Sequence, residues 1–412
     1  MDLSALRAAA RRQAPIWLAL VATGLGLVLG FLLKWPCTRH PWDGFQYRRL
    51  CYNDIQPLFH IRGISRGVVP YGGDQLGTEL QVEYPVLTGM FMDVTGRVLR
   101  GLERLGVAQN SDPDYFVVSA LLLAPFAFVV TLKLRRSVTA GRLLLWAIGP
   151  PLVLYAFHNW DLLAVAGGAW GLVEAERRRG LSAGAGLGIG ASAKLYPAFL
   201  LPGAVLDAWS ERDRSRALRL TIGFALSALL INVPWMIRSF SGWLAVWKFH
   251  SRRYPDFGTV WHWIGHHGGS LIPGSDVYRD FVSVASLVLF AGGSVFFLLK
   301  SWRRRSDVGR FQVAAAGLGI LCVFLLVSKV HSPQYALWIV PFLVMLDVPR
   351  PIVIFYIAAD VAVYVSGFYW FTVFDAPAPA WKGIFEGAVL ARATALGGLA
   401  WWATKARRLE PF

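Results

Sequence analysis

Tyr84–Val107 reads YPVLTGMFMDVTGRVLRGLERLGV and is apolar enough to pass for a membrane span. Counted as one, it would invert the orientation of every basic loop that follows. Its pattern decides otherwise. Leu87, Phe91, Val94, Val98 and Leu105 recur at helical spacing on one face, while Asp93, Arg97, Arg100 and Arg104 fall on the opposite one. That is the signature of a helix lying in the membrane interface rather than crossing it. The i,i+4 pair Asp93–Arg97 adds modest support.

Outward from this segment, apolar blocks recur at 16–33, 115–132, 143–157, 160–175, 181–208, 218–238, 279–299, 311–328, 333–348, 351–366 and 384–403. Most approach the roughly 20 residues that a spanning helix needs. The chain is 55% hydrophobic and 16% charged, with a mean hydropathy of +0.47. Soluble domains carry about 25% charged residues, so a soluble multidomain protein is excluded. The +16 net charge would suit a nucleic-acid binder. The cations instead fall in short runs between apolar blocks: Arg7/Arg11/Arg12, Lys133/Arg135/Arg136/Arg142, Arg177–Arg179, Arg212/Arg214/Arg216/Arg219, Lys300/Arg303–Arg305/Arg310 and Lys405/Arg407/Arg408. This is the positive-inside distribution of a membrane protein, and no nucleic-acid partner is expected. No cleavable signal peptide is read, because 16–33 exceeds a usual signal core and Lys34-Trp35-Pro36 offers no small-residue cleavage site.

Placing every basic run in the cytoplasm threads the chain through twelve spans with both termini cytoplasmic. Block 181–208 then begins and ends inside, so it is a hairpin turning at Lys194-Leu195-Tyr196-Pro197. Gly184, Gly186, Gly188 and Gly190 give it two overlapping small-xxx-small spacings for close packing. The expected fold is an all-α polytopic membrane protein of the cell (plasma) membrane. Residues 1–412 form one integral membrane domain of about twelve transmembrane helices. Residues 34–114 form a first external loop and 239–278 a second, both with amphipathic juxtamembrane helices.

Polar residues concentrate at the external helix ends: Tyr52-Asn53-Asp54, Pro70–Asp74, Glu83-Tyr84-Pro85, His158–Asp161, Lys194–Pro197 and Lys329–Tyr335. Ionisable residues at membrane depth are costly and mark function, so these point to one outward-facing cavity. Such a cavity suits glycosyl transfer from an isoprenoid-phosphate sugar. Asp54 is the candidate base for the acceptor hydroxyl. Lys194 and His331 are candidates for the departing phosphate. His158, Asp161, Tyr196, Arg252 and Arg253 are further candidates for the donor, and Glu83, Tyr84 and Gln334 for the pocket wall. Each has a structural rival. Asp54 can cap the following helix, Lys194 can snorkel to headgroups, and His158, Asn159 and Asp161 can tie two helix ends together. Glu83-Tyr84-Pro85 can be only a helix start, with Pro85 in its first turn. The histidines of 239–278 match no zinc spacing, so neither a metal nor another cofactor is expected. Trp243, Trp247, Trp261 and Trp263 suit a loop lying on the membrane. Cys37 and Cys51 are either a cross-link worth on the order of 3 kcal/mol or two unrelated thiols. Asp360, inside an apolar block, faces the bundle and needs a partner.

On Tyr52-Asn53-Asp54-Ile55, Glu83-Tyr84-Pro85, His158-Asn159-Trp160-Asp161-Leu162-Leu163, Ala193-Lys194-Leu195-Tyr196-Pro197 and His331-Ser332-Pro333-Gln334-Tyr335, the chain resembles glycosyltransferase family 87. That family comprises actinobacterial polyprenyl-phosphate-mannose-dependent mannosyltransferases within the GT-C superfamily. The Tyr-Pro element also looks like that of the endoplasmic-reticulum glucosyltransferases that use dolichyl-phosphate glucose. The resemblance implies a GT-C-like bundle, Asp54 as catalytic base, a polyprenyl-phosphate sugar (mannose first) as donor, and a glycolipid or glycan acceptor among membrane lipids. The chain departs from many members at Tyr84-Pro85-Val86, where they carry Tyr-Pro-Pro. Two other classes compete: a transporter or flippase of lipid-linked sugars, and an inert scaffold of envelope assembly. No internal repeat of the kind common in transporters is found.

Overall fold

The computed structural model describes residues 15–73, 80–135, 137–268, 274–374 and 380–409; Arg7, Arg11, Arg12, Asp74 and Arg136 lie outside these. The described residues form helices and no strand. The labelled helices are α1 (Ile16–Lys34), α2 (Ile55–Ile61), α3 (Val86–Arg104), α4 (Asp112–Leu134), α5 (Ala140–Ala147), α6 (Pro150–Tyr155), α7 (Asp161–Glu176), α8 (Gly180–Ala193) and α9 (Leu201–Ser210). They continue with α10 (Arg214–Arg238), α11 (Phe240–Arg252), α12 (Val260–His267), α13 (Asp276–Val308), α14 (Val313–Val327), α15 (Ala336–Met345), α16 (Arg350–Phe371) and α17 (Ala380–Ala403).

Among the described residues, the helices α1, α4, α10, α13, α16 and α17 are long and apolar enough to cross a membrane. The chain is a polytopic membrane protein. The other expected spans are built from shorter pieces. Block 143–157 is broken between α5 and α6 at Gly149-Pro150-Pro151, where the prolines lack the backbone donors needed to continue a helix. The segment read as interfacial is one helix, α3, but it has three faces rather than two. Val94, Val98 and Leu105 are exposed, whereas Gly89, Met92, Asp93, Gly96 and Leu99 pack against the protein. Asp93, expected on the polar face, lies at the edge of the packed one and accepts from Arg97 at 2.8 Å.

Helix α8 is wedged between α7 and α10 at backbone-contact distance. A Cβ on Gly167 of α7 would stand 2.6 Å from Gly190 Cα, and one on Gly184 only 2.0 Å from the carbonyl oxygen of Leu220. The two small-xxx-small ridges of α8 thus serve different neighbours, Gly186 and Gly190 facing α7, Gly184 and Gly188 facing α10. This packing fixes Lys194, the residue after α8, against the start of α7.

Charges are segregated along α7. At its C-terminal end Glu174 holds Lys133 at 3.0 Å, Arg179 at 3.4 Å and Arg177 at 3.7 Å. Glu176 holds Arg408 at 3.0 Å and Arg310 at 3.8 Å. Asp161 begins the same helix about 20 Å away, at 1.5 Å per residue. Asp360 of α16 finds its partner within the bundle. It accepts from Tyr155 at 2.7 Å and lies 3.5 Å from Arg392 of α17, both charges being 1% exposed.

Gly184→Ala should cost about 2 kcal/mol, because its Cβ meets backbone that cannot yield. Gly101→Ala, with nothing within 4 Å of the new carbon, should be neutral or stabilising by up to about 1 kcal/mol. Thermal unfolding of the two purified variants in one detergent separates them; equal losses would contradict the packing.

Candidate functional site

A cavity of about 800 Å³ opens at the Asp161 end of α7. Asp54 reaches it from the residue preceding α2. It occupies the N-cap position, yet its side chain makes no capping bond. Its Oδ1 accepts from the Tyr52 hydroxyl at 2.8 Å, and its Oδ2 from Asn159 Nδ2 at 2.6 Å and the Tyr84 hydroxyl at 3.4 Å. Its backbone N–H donates to the carbonyl of His158 at 2.8 Å. The capping reading is therefore set aside. Burial pushes the Asp54 carboxyl above the ordinary carboxylate range, and the charge of Glu83 adds to this. The hydrogen bonds from Tyr52 and Asn159 and the charge of Lys194 work in the opposite direction. The carboxylate charge raises Tyr52, and burial raises Tyr84, so both phenols stay protonated and remain donors.

Lys194 lines the same cavity. It lies 3.5 Å from Asp161 Oδ2, between the rings of Tyr84 at 4.9 Å and Tyr335 at 5.3 Å. At 8% exposure it does not snorkel. Asp161 sits beneath it, outside the cavity wall, and accepts from Trp338 Nε1 at 2.7 Å. Asp54 and Lys194, distant in sequence, thus share one void and are linked through Tyr84.

His331 and Gln334 also line the cavity, and His331 Nε2 and Gln334 Oε1 are buried without a hydrogen-bond partner among the described residues. Burial, with the charge of Arg392, holds His331 well below the ordinary histidine range. Its unpaired Nε2 makes it one of the polar groups of the cavity wall. Two other cations reach the cavity: Arg253, 3.9 Å from Asp256, and Lys329, which donates to the Ser251 carbonyl at 2.9 Å and Ser283 Oγ at 3.0 Å. From there the void runs along Ser286, Leu287 and Phe290 of α13 and Phe324 and Val327 of α14. A second apolar flank is formed by Val363, Gly367 and Phe371 of α16 with Phe385 of α17.

Other expected residues are placed differently. Arg252 is exposed and outside the cavity, because α11 turns it to the opposite side from Val246 and His250. Tyr196 touches the cavity, but its hydroxyl donates to Ala164 O at 3.3 Å and its ring stacks on Trp338 at 4.5 Å, a packing role. Glu83 lines the wall and pairs with Arg62 at 2.8 Å. His158 lines it too, its Nδ1 lying 3.3 Å from Lys34 Nζ. His250 lines it and approaches the carbonyl of Glu83 at 2.9 Å; burial lowers its pKa to about 4. The tryptophans of 239–278 mostly tie the loop to the bundle: Trp243 Nε1 donates to Asn232, Trp261 Nε1 to the Val327 carbonyl, and Trp263 is buried. Cys37 and Cys51 form a disulfide, Cα atoms 5.6 Å apart, at the entry to the Asp54 loop.

The sequence places Tyr52 and Lys329 only among the polar groups at external helix ends, with no role of their own, gives Asn159 a structural part, and passes over Lys34. Tyr52 and Asn159 stood inside the quoted Tyr-Asn-Asp and His-Asn-Trp-Asp stretches, which was the available signal. Lys34 carried none beyond its place at the end of an apolar block.

The model of glycosyltransferase family 87 matches residues 107–328, more than half of the chain. The matched region holds the His158–Asp161 turn and the Lys194 hairpin; Asp54 precedes it. No curated protein matches the chain.

Removing one partner of the buried Lys194–Asp161 pair leaves an uncompensated charge. Lys194→Met should cost about 3 kcal/mol in detergent unfolding, and adding Asp161→Asn should recover part of that loss. A double variant less stable than Lys194→Met would contradict the pairing.

Proposed function

The chain belongs to glycosyltransferase family 87 and is a membrane glycosyltransferase; from that premise we propose that it transfers a sugar, mannose first, from a polyprenyl-phosphate donor to a glycolipid or glycan acceptor of the cell envelope. The observation that carries this reading is the shared cavity, with a hydrogen-bonded carboxylate at one side and cations beside an apolar groove. The cationic runs lie at the end of α7 away from the cavity. By the positive-inside rule that end is cytoplasmic, and the cavity faces outward in the plasma membrane.

In this mechanism the Asp54 carboxylate accepts the proton of the acceptor hydroxyl as its oxygen attacks the anomeric carbon. The bond from that carbon to the phosphate oxygen breaks, and polyprenyl phosphate leaves with one added negative charge. Arg253, Lys329 and Lys194 stabilise that charge, at the head of a groove that runs along the membrane-spanning helices α13 and α14. His331 and Gln334 offer unpaired polar atoms to sugar hydroxyls. A single displacement inverts the anomeric configuration. Family membership favours the enzyme over a carrier or a scaffold.

With radiolabelled polyprenyl-phosphate mannose and membranes of each variant, Asp54→Asn should lower transfer by on the order of 10²- to 10⁴-fold. Transfer at the wild-type rate would remove Asp54 from the mechanism. A base acts when ionised, so the rate rises with pH through its pKa. Burial raises that pKa, so the acid limb should lie above the ordinary value of 3.8. The Asn159 hydrogen bond lowers it, so Asn159→Ala should move the limb to higher pH. A limb moving to lower pH would contradict the assignment.

A further inference from the structure

Lys34 ends α1, the first apolar span, and is completely buried. A lysine nitrogen tolerates burial only where its hydrogen-bonding capacity is used. Its Nζ donates to the Tyr52 carbonyl at 2.9 Å and the Tyr364 hydroxyl at 2.7 Å, and lies 3.3 Å from His158 Nδ1. The Tyr364 hydroxyl in turn donates to the Leu50 carbonyl at 2.5 Å. These contacts reach three separate parts of the chain: the first loop, α16, and the turn between α6 and α7.

Two of the three lead to Asp54. Tyr52, whose carbonyl Lys34 holds, donates its hydroxyl to Asp54 Oδ1. His158 accepts the Asp54 backbone N–H, and the next residue, Asn159, donates to Asp54 Oδ2. The disulfide adds a covalent tie at the same place, joining Cys37, three residues beyond Lys34, to Cys51 beside Tyr52. Lys34 itself does not line the cavity, whereas its partners Tyr52, His158 and Tyr364 do.

We infer that Lys34 is a positioning residue: its side-chain nitrogen, shared among the Tyr52 carbonyl, Tyr364 and His158, holds the loop that aims Asp54 into the cavity. It acts without touching substrate, so its loss slows the chemical step and leaves donor binding in place. The inference rests on Asp54 being the base.

The test compares full-length wild type, Lys34→Met, Tyr364→Phe and Asp54→Asn, each purified in detergent, with polyprenyl-phosphate mannose as donor. Lys34→Met should lower kcat by on the order of 10²-fold while donor KM changes less than about threefold. Tyr364→Phe, which keeps the ring and deletes the hydroxyl, should lower kcat about fivefold in the same manner. Wild-type kcat in Lys34→Met, or a loss confined to KM, overturns the inference; should that variant not fold, an unchanged kcat in Tyr364→Phe does so. Failure of the base assignment appears separately, as activity in Asp54→Asn. Hydrogen exchange reads the geometry without any reaction. Peptides spanning 50–60 should exchange on the order of tenfold faster in Tyr364→Phe or Lys34→Met, and unchanged exchange in both overturns the inference.

Discussion

A buried carboxylate must be solvated by the protein, and the cavity is built around meeting that need for Asp54. Three donors do so, and they come from distant places: Tyr52 from the same loop, Tyr84 from the residue pair that opens α3, and Asn159 from the turn before α7. Bringing them together requires the first loop, α3 and α7 to meet at one point. The disulfide at the loop entry and the amide of Asp54 bonded to His158 are the local means. A donor set that solvates a carboxylate while leaving it open to a cavity is what the proposed base requires, and burial raises its pKa against the pull of those donors.

The cations obey the same constraint. Lys194 is admitted to the interior by Asp161, and Arg392 by Asp360 and the carbonyls of Gly258 and His331. Each pair sits where helices cross. Lys194 joins the α8 hairpin to α7, and Arg392 joins α17 to α16 and to the segments that carry the cavity's other wall. The backbone-contact packing of α7, α8 and α10 lets the first of these form, since any larger residue at Gly184 would push α8 away from α10. Arg253 and Lys329 differ in being only half-buried and held mainly by neutral groups or a loose ion pair. They are the cations to which, with Lys194, the proposed function assigns the phosphate.

Much of the fold was legible in the sequence because hydropathy and charge report on lipid directly. The longest apolar blocks reappear as helices long enough to cross a membrane, 84–107 contains one helix, and the glycine spacing of 184–190 reappears as close helix packing. The three-faced packing of α3 was not legible, because periodicity separates apolar from polar but not lipid-facing from protein-facing. In the site, Asp54 and Lys194 stood out as costly charges at helix ends. Lys34 did not, since a lysine closing a span reads as an interfacial anchor until its partners are known. Arg252 and Arg253 were indistinguishable in sequence, and only the direction in which α11 ends separates the exposed one from the one at the cavity. The burial of His331, with its Nε2 left unpaired, depends on packing that spacing cannot reveal.

The most direct measurement is a density map of the protein with a polyprenyl-phosphate sugar bound. The account requires the phosphate within hydrogen-bond distance of Arg253, Lys329 or Lys194, the polyprenyl chain along α13 and α14, and the anomeric carbon turned toward Asp54. A phosphate lodged away from all three cations, or a sugar bound outside the cavity, would contradict it.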